Sequence, residues 1–202
     1  MNMRAYSYKI TRDYGFAPNP FHGKCSLATC KPQVRRSARI GDLIIGCGSI
    51  ANGRSGEVIY AMRVTEKITF QQYWDNPQHL IKRPNFGASL AHAYGDNIYH
   101  RSEDGDWIQE RSHHSYEDGS HNKDNLDRDT ITSDAVLLSS DFTYFGKNST
   151  PVPPELRAFA GDDLYPNVRD YRVYEDSLFV GAVDHWFRQL PKGLLGHPID
   201  WP

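Results

Sequence analysis

The strongest signal for the fold lies between Gly41 and Val64, in the sequence GDLIIGCGSIANGRSGEVIYAMRV. It contains two apolar runs with the length of buried strands, Leu43 to Gly48 and Val58 to Val64. A glycine-bearing turn at 52–56 separates them, and two strands joined in this way predict an antiparallel hairpin. The Gly41-Asp42 pair is a turn signal, and it predicts where the first strand of the hairpin begins.

Other elements follow from periodicity and chain breakers on either side of this hairpin. Alternation from Met3 to Ile10 predicts a first strand. Asp176 is placed to cap a terminal helix whose aromatic and aliphatic side chains recur at helical spacing, a stripe typical of core packing. The remaining expected elements are a short helix at Thr69 to Trp74 capped by Thr69, strands at Ala135 to Ser139 and Phe142 to Phe145, and a helix from Pro151 to Phe159.

These elements predict the α+β class. We expect residues 1–202 to form a single domain with a curved, mostly antiparallel sheet or partly open barrel and flanking helices. Two long loops, at 13–32 and 94–129, are expected to lie over one end of it.

Charge and cysteine content limit the class of protein. The formal net charge of −2 and the pI near 6.5 argue against a protein that coats duplex DNA through bulk electrostatics. The three cysteines, Cys25, Cys30 and Cys47, are too few for a disulfide framework, which favours a reducing cytoplasm. The sequence has no apolar run of membrane-spanning length and no signal-peptide pattern. We therefore expect a cytoplasmic protein without a membrane partner.

The stretch from Tyr94 to Asp129 is too polar for a core. Its 36 residues include ten acidic side chains, four basic ones and four histidines, against three aliphatic ones. A connection of this length is typical of a functional loop, and phenol, imidazole and carboxylate groups can act as general acids, bases and orienting groups. The alternative is a solvated insertion. The candidate catalytic residues are Tyr99, His100, His113, His114 and Asp129.

Metal binding is a further possibility for this stretch, because it is rich in oxygen and imidazole ligands. It has neither the spacing of a calcium hand nor a His-Glu-x-x-His helix, so no metal ligands are assigned. The sequence leaves the cofactor open.

Residues 13–32 form a second loop, rich in glycine and proline. Tyr14, Phe16 and Phe21 could stack on a base while Asn19 reads its edge, or these aromatics could pin the loop as a small core. His22 joins the ligand-binding candidates. With Cys25 and Cys30 it also offers three zinc ligands, but the spacing matches no standard zinc motif, and structural thiols are the favoured interpretation.

The basic run of Lys31, Arg35, Arg36 and Arg39 is a candidate anion site. A guanidinium suits phosphate because its planar fork binds two oxygens at once. The alternative is a solvated face of a turn or strand.

The strand end at Gly46, Gly48 and Ser49 is the last group of candidates. Glycines there would allow a ligand or another backbone to approach closely. The alternative is a β-bulge that curves the sheet.

Six blocks spread over nearly the whole chain carry a family resemblance. They are MRAYSYKI at 3–10, DYGFAPNPFHG at 13–23, CKP at 30–32, GDLIIG at 41–46, GDNIYH at 95–100 and FTYFG at 142–146. These blocks resemble the second family of nucleotide-modification-associated domains. Members of such families occur in bacteria and phages near enzymes that make or handle modified DNA bases, so the resemblance implies a nucleotide-related role without fixing a reaction. Asp96 and Asn97, in the block at 95–100, join the ligand-binding candidates.

A second resemblance concerns architecture. The hairpin at 41–64 is similar to the central hairpin of the pseudouridine-synthase-associated barrel folds, whose modified-base readers hold a flipped base in an aromatic pocket. The acidic, histidine-rich stretch departs from the pattern of a simple reader.

The sequence therefore predicts binding of a nucleotide or modified nucleobase, free or within single-stranded or flipped-out DNA. Paired acid and base groups favour chemistry on the base or its glycosidic bond. The lack of a recognisable nucleophile or metal motif favours a non-catalytic module that senses or sequesters a modified nucleotide, in phage defence or counter-defence. A third alternative is an accessory subunit of a modification complex.

Overall fold

The computed structural model describes residues 2–202, which form twelve strands and five α-helices. The strands are β1 (Ala5–Lys9), β2 (Cys25–Leu27), β3 (Leu43–Cys47), β4 (Glu57–Arg63), β5 (Glu66–Thr69), β6 (Tyr99–Arg101), β7 (Trp107–Gln109), β8 (Ala135–Ser139), β9 (Asp141–Tyr144), β10 (Thr150–Pro151), β11 (Tyr171–Tyr174) and β12 (Gly193–Leu194). The α-helices are α1 (Pro32–Ser37), α2 (Phe70–Asp75), α3 (Leu90–Ala93), α4 (Lys123–Thr130) and α5 (Ser177–Gln189). Short 3₁₀ helices lie at Ile50–Asn52, Pro77–Lys82, Gly146–Asn148 and Pro154–Leu156.

The chain divides into two compact units. Unit 1 comprises the chain up to Tyr14, Ala38–Thr65 and Ser139–Pro202, and unit 2 comprises Gly15–Ser37 and Glu66–Leu138. The polar stretch at 94–129 belongs to unit 2 and is not one long loop, since it contains β6, β7 and α4.

Unit 1 is built on an open sheet with the strand order β11-β1-β3-β4-β9-β12, and β10 also pairs with β4. The β3–β4 hairpin that the sequence predicts lies at its centre and is antiparallel. The pairs β1–β3 and β9–β12 are parallel, and the other pairs are antiparallel. The sheet is mixed but mostly antiparallel, and the α+β class is confirmed.

Helix α5 covers the hydrophobic core of unit 1. The Asp176 side chain accepts hydrogen bonds from the backbone N–H groups of Leu178 and Phe179, which are otherwise unsatisfied at a helix start. Phe179, Val183 and Phe187 are at most 1% exposed and pack in one cluster with side chains of β3 and β4. The predicted cap and core stripe are both confirmed.

A β-bulge explains the glycines that end β3. The register between β3 and β4 shifts between Gly46 and Cys47. A Cβ on Gly46 would lie 2.3 Å from the Tyr60 ring, and one on Gly48 would lie 2.1 Å from the Arg54 carbonyl oxygen. The close approach at these glycines is therefore made by the chain itself. Ser49 follows the bulge, and its N–H donates to Asn52 Oδ1 over 2.9 Å.

Replacing Gly48 with alanine should destabilise unit 1. The new methyl group would overlap the backbone of Arg54, and overpacking of this kind costs on the order of 1–3 kcal/mol. The matched control is Gly181→Ala in α5, where a Cβ would have no neighbour within 4 Å and alanine gains about 0.5–1 kcal/mol from helix propensity. Urea denaturation of the two variants should show shifts of opposite sign, and a stabilised Gly48→Ala protein would contradict the packing seen here.

Unit 2 combines a small sheet, a hairpin and short helices. The sheet has the order β2-β8-β5, and β6 pairs with β7. The Thr69 side chain accepts from the Gln72 N–H at the start of α2, so the predicted helix and its cap are confirmed. The strands at β8 and β9 are confirmed as well.

The helix expected from Pro151 to Phe159 is wrong. Only Pro154–Leu156 is helical there, as a single 3₁₀ turn. Pro151, Pro153 and Pro154 remove backbone donors, and a proline also disfavours the α conformation of the residue before it.

Candidate functional site

Three elements of unit 2 carry the central candidate residues. Strand β6 holds Tyr99, the turn after β7 holds His114, and the last turn of α4 holds Asp129. Pairing of Tyr99 with Gln109 reverses the chain, and the Asn122 side chain caps α4 on its return. The chain thus folds back and brings together side chains that are up to 30 residues apart.

Tyr99, His114 and Asp129 form one hydrogen-bonded network. The Tyr99 hydroxyl donates to Asp129 Oδ2 over 3.0 Å, and His114 Nδ1 lies 3.0 Å from the same oxygen. The hydroxyl is also 3.3 Å from His114 Nδ1. Tyr99 and Asp129 are fully buried and His114 is 7% exposed, so phenol, imidazole and carboxylate share one water-poor site.

The Asp129 carboxylate is held by further donors. Its Oδ1 accepts from the Cys30 N–H over 2.8 Å and from Arg128 Nε over 3.0 Å, and Arg128 Nη2 reaches Oδ2 over 3.1 Å. Burial by itself would raise the pKa of Asp129, but the hydrogen bonds and charges of His114 and Arg128 outweigh it and lower the pKa to about 2. The carboxylate is therefore ionised at neutral pH.

His114 is the titratable centre of the network. Burial opposes its protonation, but hydrogen bonds with Asp129 and Cys30, together with the charge of Asp129, raise its pKa. Its Nε2 lies 3.7 Å from Cys30 Sγ, and Arg128 Nη2 is 3.3 and 3.4 Å from the two ring nitrogens. The protonated imidazole is therefore favoured up to a higher pH than in a free histidine.

The other two candidate histidines lie outside this network. His100 Nε2 is 2.8 Å from Glu110 Oε1, and its ring stacks on Trp74 with centroids 3.9 Å apart. His113 is exposed, and its ring makes edge contacts with Phe16 and Tyr94.

The structure corrects the expectation for Arg35. Its side chain is fully buried, and its guanidinium donates to the carbonyl oxygens of Cys30, Asp129 and Ala135 over 2.8, 2.7 and 2.6 Å. These carbonyl oxygens occupy the planar fork that would otherwise bind a phosphate. Arg35 therefore ties α1 to α4 and β8 within unit 2.

The neighbours of Arg35 in the basic run are placed differently. Arg36 is exposed and lines a surface cavity of about 380 Å³ with polar residues of β5 and of the segment before β8. Lys31 is partly buried and has a φ of 39°.

The aromatic side chains of the 13–32 loop are mostly internal. Phe16 and Phe21 in unit 2 are 3% and 5% exposed, and Phe16 lies edge-on to His114 with centroids 4.5 Å apart. Tyr14 belongs to unit 1, where its carbonyl accepts from Trp201 Nε1. Both phenylalanines are therefore buried within unit 2.

Asn19 and His22 complete that loop. Both ends of the buried Asn19 side chain are bonded, Oδ1 to Lys82 Nζ over 2.7 Å and Nδ2 to the Tyr94 carbonyl over 2.9 Å. The His22 ring contacts His92, and its Nε2 is buried without a hydrogen-bond partner. The amide of Asn19 is therefore used within the fold.

Asp96 and Asn97 belong to a buried polar cluster around Lys82. Asp96 accepts from Ser26 and Tyr73, and Lys82 Nζ donates to Asn19 and Ser26. Burial raises the pKa of Asp96, and burial lowers the pKa of Lys82 to about 8 although Asp96 opposes that shift. Asn97 Nδ2 donates to the Tyr73 and His79 carbonyls. These groups are satisfied mainly by one another, which fits a structural cluster.

The cysteines fall into two kinds. Cys25 and Cys47 are buried, and burial raises the pKa of each thiol to about 12, as expected for structural thiols. Cys30 is partly exposed. Among residues 2–202, no group of three or more His, Cys, Asp or Glu side chains could hold a metal ion. None of the helices formed by these residues has the length and hydrophobicity needed to cross a membrane.

Unit 2 therefore holds a buried tyrosine–histidine–aspartate network beside a partly exposed thiol. The chain belongs to the family described as nucleotide modification associated domain 2, whose model matches residues 2–202. This match confirms the resemblance seen in the sequence, and the family description gives a role in nucleotide modification. No curated protein and no solved structure matches the chain.

Sequence reasoning missed Cys30 and Arg128 as members of the network. Arg128 directly precedes Asp129, so its position next to a candidate carboxylate could have been recognised from the sequence. Nothing in the spacing of the three cysteines distinguishes Cys30 from Cys25 and Cys47, because exposure and the position of His114 separate them only in the fold.

Proposed function

We propose that this chain binds a nucleotide or modified nucleobase beside the Tyr99–His114–Asp129 network and exchanges protons with it, in DNA base modification or in the conflict between phages and their hosts. The observation that carries the proposal is the contact of both Tyr99 and His114 with one oxygen of Asp129. Family membership supports a nucleotide as the class of ligand, and the network supplies the groups for acid–base chemistry.

The three residues have separate tasks in this proposal. Asp129 stays ionised and orients the imidazole through Nδ1. His114, whose pKa is raised by its hydrogen bonds with Asp129 and Cys30, donates a proton to the ligand and accepts one from it. Burial, and then the charge of Asp129, raise the pKa of Tyr99, so its hydroxyl remains a donor that fixes the carboxylate.

A non-catalytic nucleotide sensor is the second candidate. It is favoured by the dense internal bonding of Asp129, which accepts from Cys30, Tyr99, His114 and Arg128 and so fixes the network without a ligand. In a sensor, His114 would donate a hydrogen bond and transfer no proton.

The first experiment identifies the ligand. The purified chain should be denatured and its small-molecule extract analysed by mass spectrometry, alongside thermal shifts over a panel of nucleotides and modified nucleosides. A co-purifying nucleotide or a reproducible stabilising shift supports the proposal. Absence of both would remove nucleotide binding and favour an accessory subunit that binds another protein.

The network predicts how variants should bind the nucleotide that gives the largest thermal shift. His114→Gln keeps a hydrogen-bonding shape but cannot titrate, and loss of a hydrogen bond to a charged or strongly polar ligand costs about 1.5–3 kcal/mol, roughly ten- to a hundredfold in affinity. Tyr99→Phe removes one buried hydroxyl and should lower stability by about 1 kcal/mol with a smaller change in affinity.

The matched control is His100→Gln, because His100 sits on β6 next to Tyr99 in sequence but is bonded to Glu110 outside the network. Titration calorimetry should show parental affinity for this variant. If His114→Gln and His100→Gln bind the nucleotide equally well and leave any conversion of it unchanged, the network does not contact the ligand. If His114→Gln binds normally but no longer converts it, the residue is catalytic only.

A further inference from the structure

We infer that Cys30 is a nucleophile, activated by His114 and Asp129 as a cysteine–histidine–aspartate triad, and that the site acts on acyl groups carried by a nucleobase. The inference rests on the proposed function for the nucleobase. The reactivity of the thiol does not depend on it. Four features point to the triad: the position of the sulfur, the orientation of the imidazole, the backbone at Cys30 and the contrast with the other two thiols.

The imidazole of His114 bridges the thiol and the carboxylate through opposite ring nitrogens. Nδ1 faces Asp129 Oδ2 at 3.0 Å, and Nε2 faces Cys30 Sγ at 3.7 Å. A proton on Nδ1, held by the ionised carboxylate, leaves the lone pair of Nε2 directed to the thiol. This is the order of groups needed for a base to take the proton of a nucleophile while a third residue fixes its tautomer.

The backbone at Cys30 is held in an unusual conformation. Cys30 and Lys31 have φ values of 57° and 39°, in the left-handed region that side chains other than glycine rarely adopt. Both main-chain groups of Cys30 are clamped, the N–H by Asp129 Oδ1 over 2.8 Å and the C=O by Arg35 Nε over 2.8 Å.

That conformation lies in the turn between β2 and α1. A sharp turn between a strand and a helix projects a side chain away from the backbone around it. Strained residues that are over-determined by their surroundings occur preferentially at functional sites. Two buried charged residues, Asp129 and Arg35, therefore hold in place the one cysteine that is partly exposed.

The chemistry that fits this arrangement is acyl transfer. The Cys30 proton passes to His114 Nε2 while Sγ bonds to the acyl carbon, and the carbonyl π electrons move to oxygen. On collapse the C–N bond to the exocyclic amine of the base breaks, and the proton on Nε2 goes to that nitrogen. Water then attacks the thioester and gives its proton to His114, and collapse expels the Cys30 thiolate, which regains the proton from His114. The sum is acylated base plus water giving carboxylic acid and free amine.

Thiol reactivity tests the triad without any nucleotide. The full chain is treated with a limiting amount of iodoacetamide at pH 7, and peptide mass spectrometry measures the rate at each cysteine. Cys30 should react at least about tenfold faster than glutathione. The thiol of glutathione is only a few per cent thiolate at this pH, whereas His114 lies beside the Cys30 thiol as a base. Cys25 and Cys47 provide internal controls and should remain unmodified in the folded protein, since both are buried.

Variants connect that rate to the triad. His114→Gln should bring the Cys30 rate down to that of glutathione, and His100→Gln should leave it at the parental value. If His114→Gln folds poorly, the rates in the parent and in His100→Gln still test whether Cys30 is an activated nucleophile. A Cys30 rate at or below that of glutathione in the parent overturns the inference.

Acyl transfer is tested with two probes. With 4-nitrophenyl acetate, a burst of nitrophenolate and an acetyl group on Cys30 should appear, and both should vanish in Cys30→Ser. N4-acetyldeoxycytidine then tests the nucleobase, with release of acetate as the readout. Reaction with the first probe but not with any acylated nucleoside keeps the triad and removes the nucleobase assignment. Nucleotide binding without acetylation of Cys30 keeps the proposed function and removes the triad.

Discussion

Replacing Arg35 with methionine is expected to lower the free energy of unfolding by about 3–5 kcal/mol, because a buried charged group is removed from its partners. Methionine fills a similar length but has no donors. The carbonyl oxygens of Cys30, Asp129 and Ala135 would each lose a hydrogen bond of 2.6 to 2.8 Å in a buried setting. Denaturation by guanidinium chloride, followed by circular dichroism, measures the change.

Arg36→Met is the matched control for that experiment. Arg36 is the next residue of α1 and is exposed, so its replacement should change stability by no more than about 0.5 kcal/mol. Equal denaturation midpoints for the two variants would contradict the structural role of Arg35. The same pair also separates anion binding from folding, because Arg35 is enclosed by backbone carbonyls whereas Arg36 can meet a ligand phosphate from solvent.

Replacing Asp129 with asparagine is expected to lower the free energy of unfolding by about 3–5 kcal/mol at pH 6, with a pH dependence that identifies the cause. The side-chain amide of asparagine is a donor and would face the donors of Arg128, Tyr99 or the Cys30 N–H. Part of the loss is electrostatic, because the pKa of Asp129 falls from an ordinary value of 3.8 to about 2 on folding.

The sign of the pH dependence follows from the two shifted groups. The depressed pKa of Asp129 contributes stability above pH 3.8 that is lost as the pH falls through about 2. The raised pKa of His114 contributes stability below 6.5 that is lost as the pH rises through its folded value. The difference in stability between the parent and the Asp129→Asn variant should therefore be largest between about pH 4 and pH 6.5 and should shrink on either side.

Asp127→Asn serves as the control for this series. Asp127 lies on the same helix, and its side chain is 38% exposed and paired with Lys123, so its loss should cost no more than about 0.5 kcal/mol. Urea titrations at pH 4, 6 and 8 distinguish the variants. If the parent and the Asp129→Asn variant differ little in stability, and by the same amount at every pH, the carboxylate is not ionised and paired in the folded chain.

Local sequence signals predicted local structure well. The Thr69 and Asp176 caps and the core stripe of α5 depend on residues in the same or neighbouring helical turns, and the β3–β4 hairpin depends on one short turn between two apolar runs. These patterns are therefore visible in the chain. The helix expected from Pro151 to Phe159 does not form, because Pro151, Pro153 and Pro154 remove backbone donors and disfavour the α conformation of the residues before them.

For the polar stretch at 94–129, composition predicted the kinds of side chain in the site but not which of them are in contact. Its composition indicated acid and base groups, and three of them, Tyr99, His114 and Asp129, do share one site. Composition could not separate them from His100 and His113, whose rings contact Trp74 and Tyr94, respectively. Polarity alone also suggested solvation, whereas the side chains are bonded to one another in a hairpin and a helix.

The α+β class, the family and the main capped helices and paired strands can be predicted from the amino-acid sequence, because each depends on periodicity or on residues that are close along the chain. The contacts of Cys30 with His114 and Asp129, which are 84 and 99 residues away in the chain, are visible only in the folded structure. The burial of Arg35 and the exposure of Arg36 are likewise visible only there. Distances between segments so far apart are set by the packing of α1, α4 and β8 and by the satisfaction of their buried polar groups, and no local pattern encodes them.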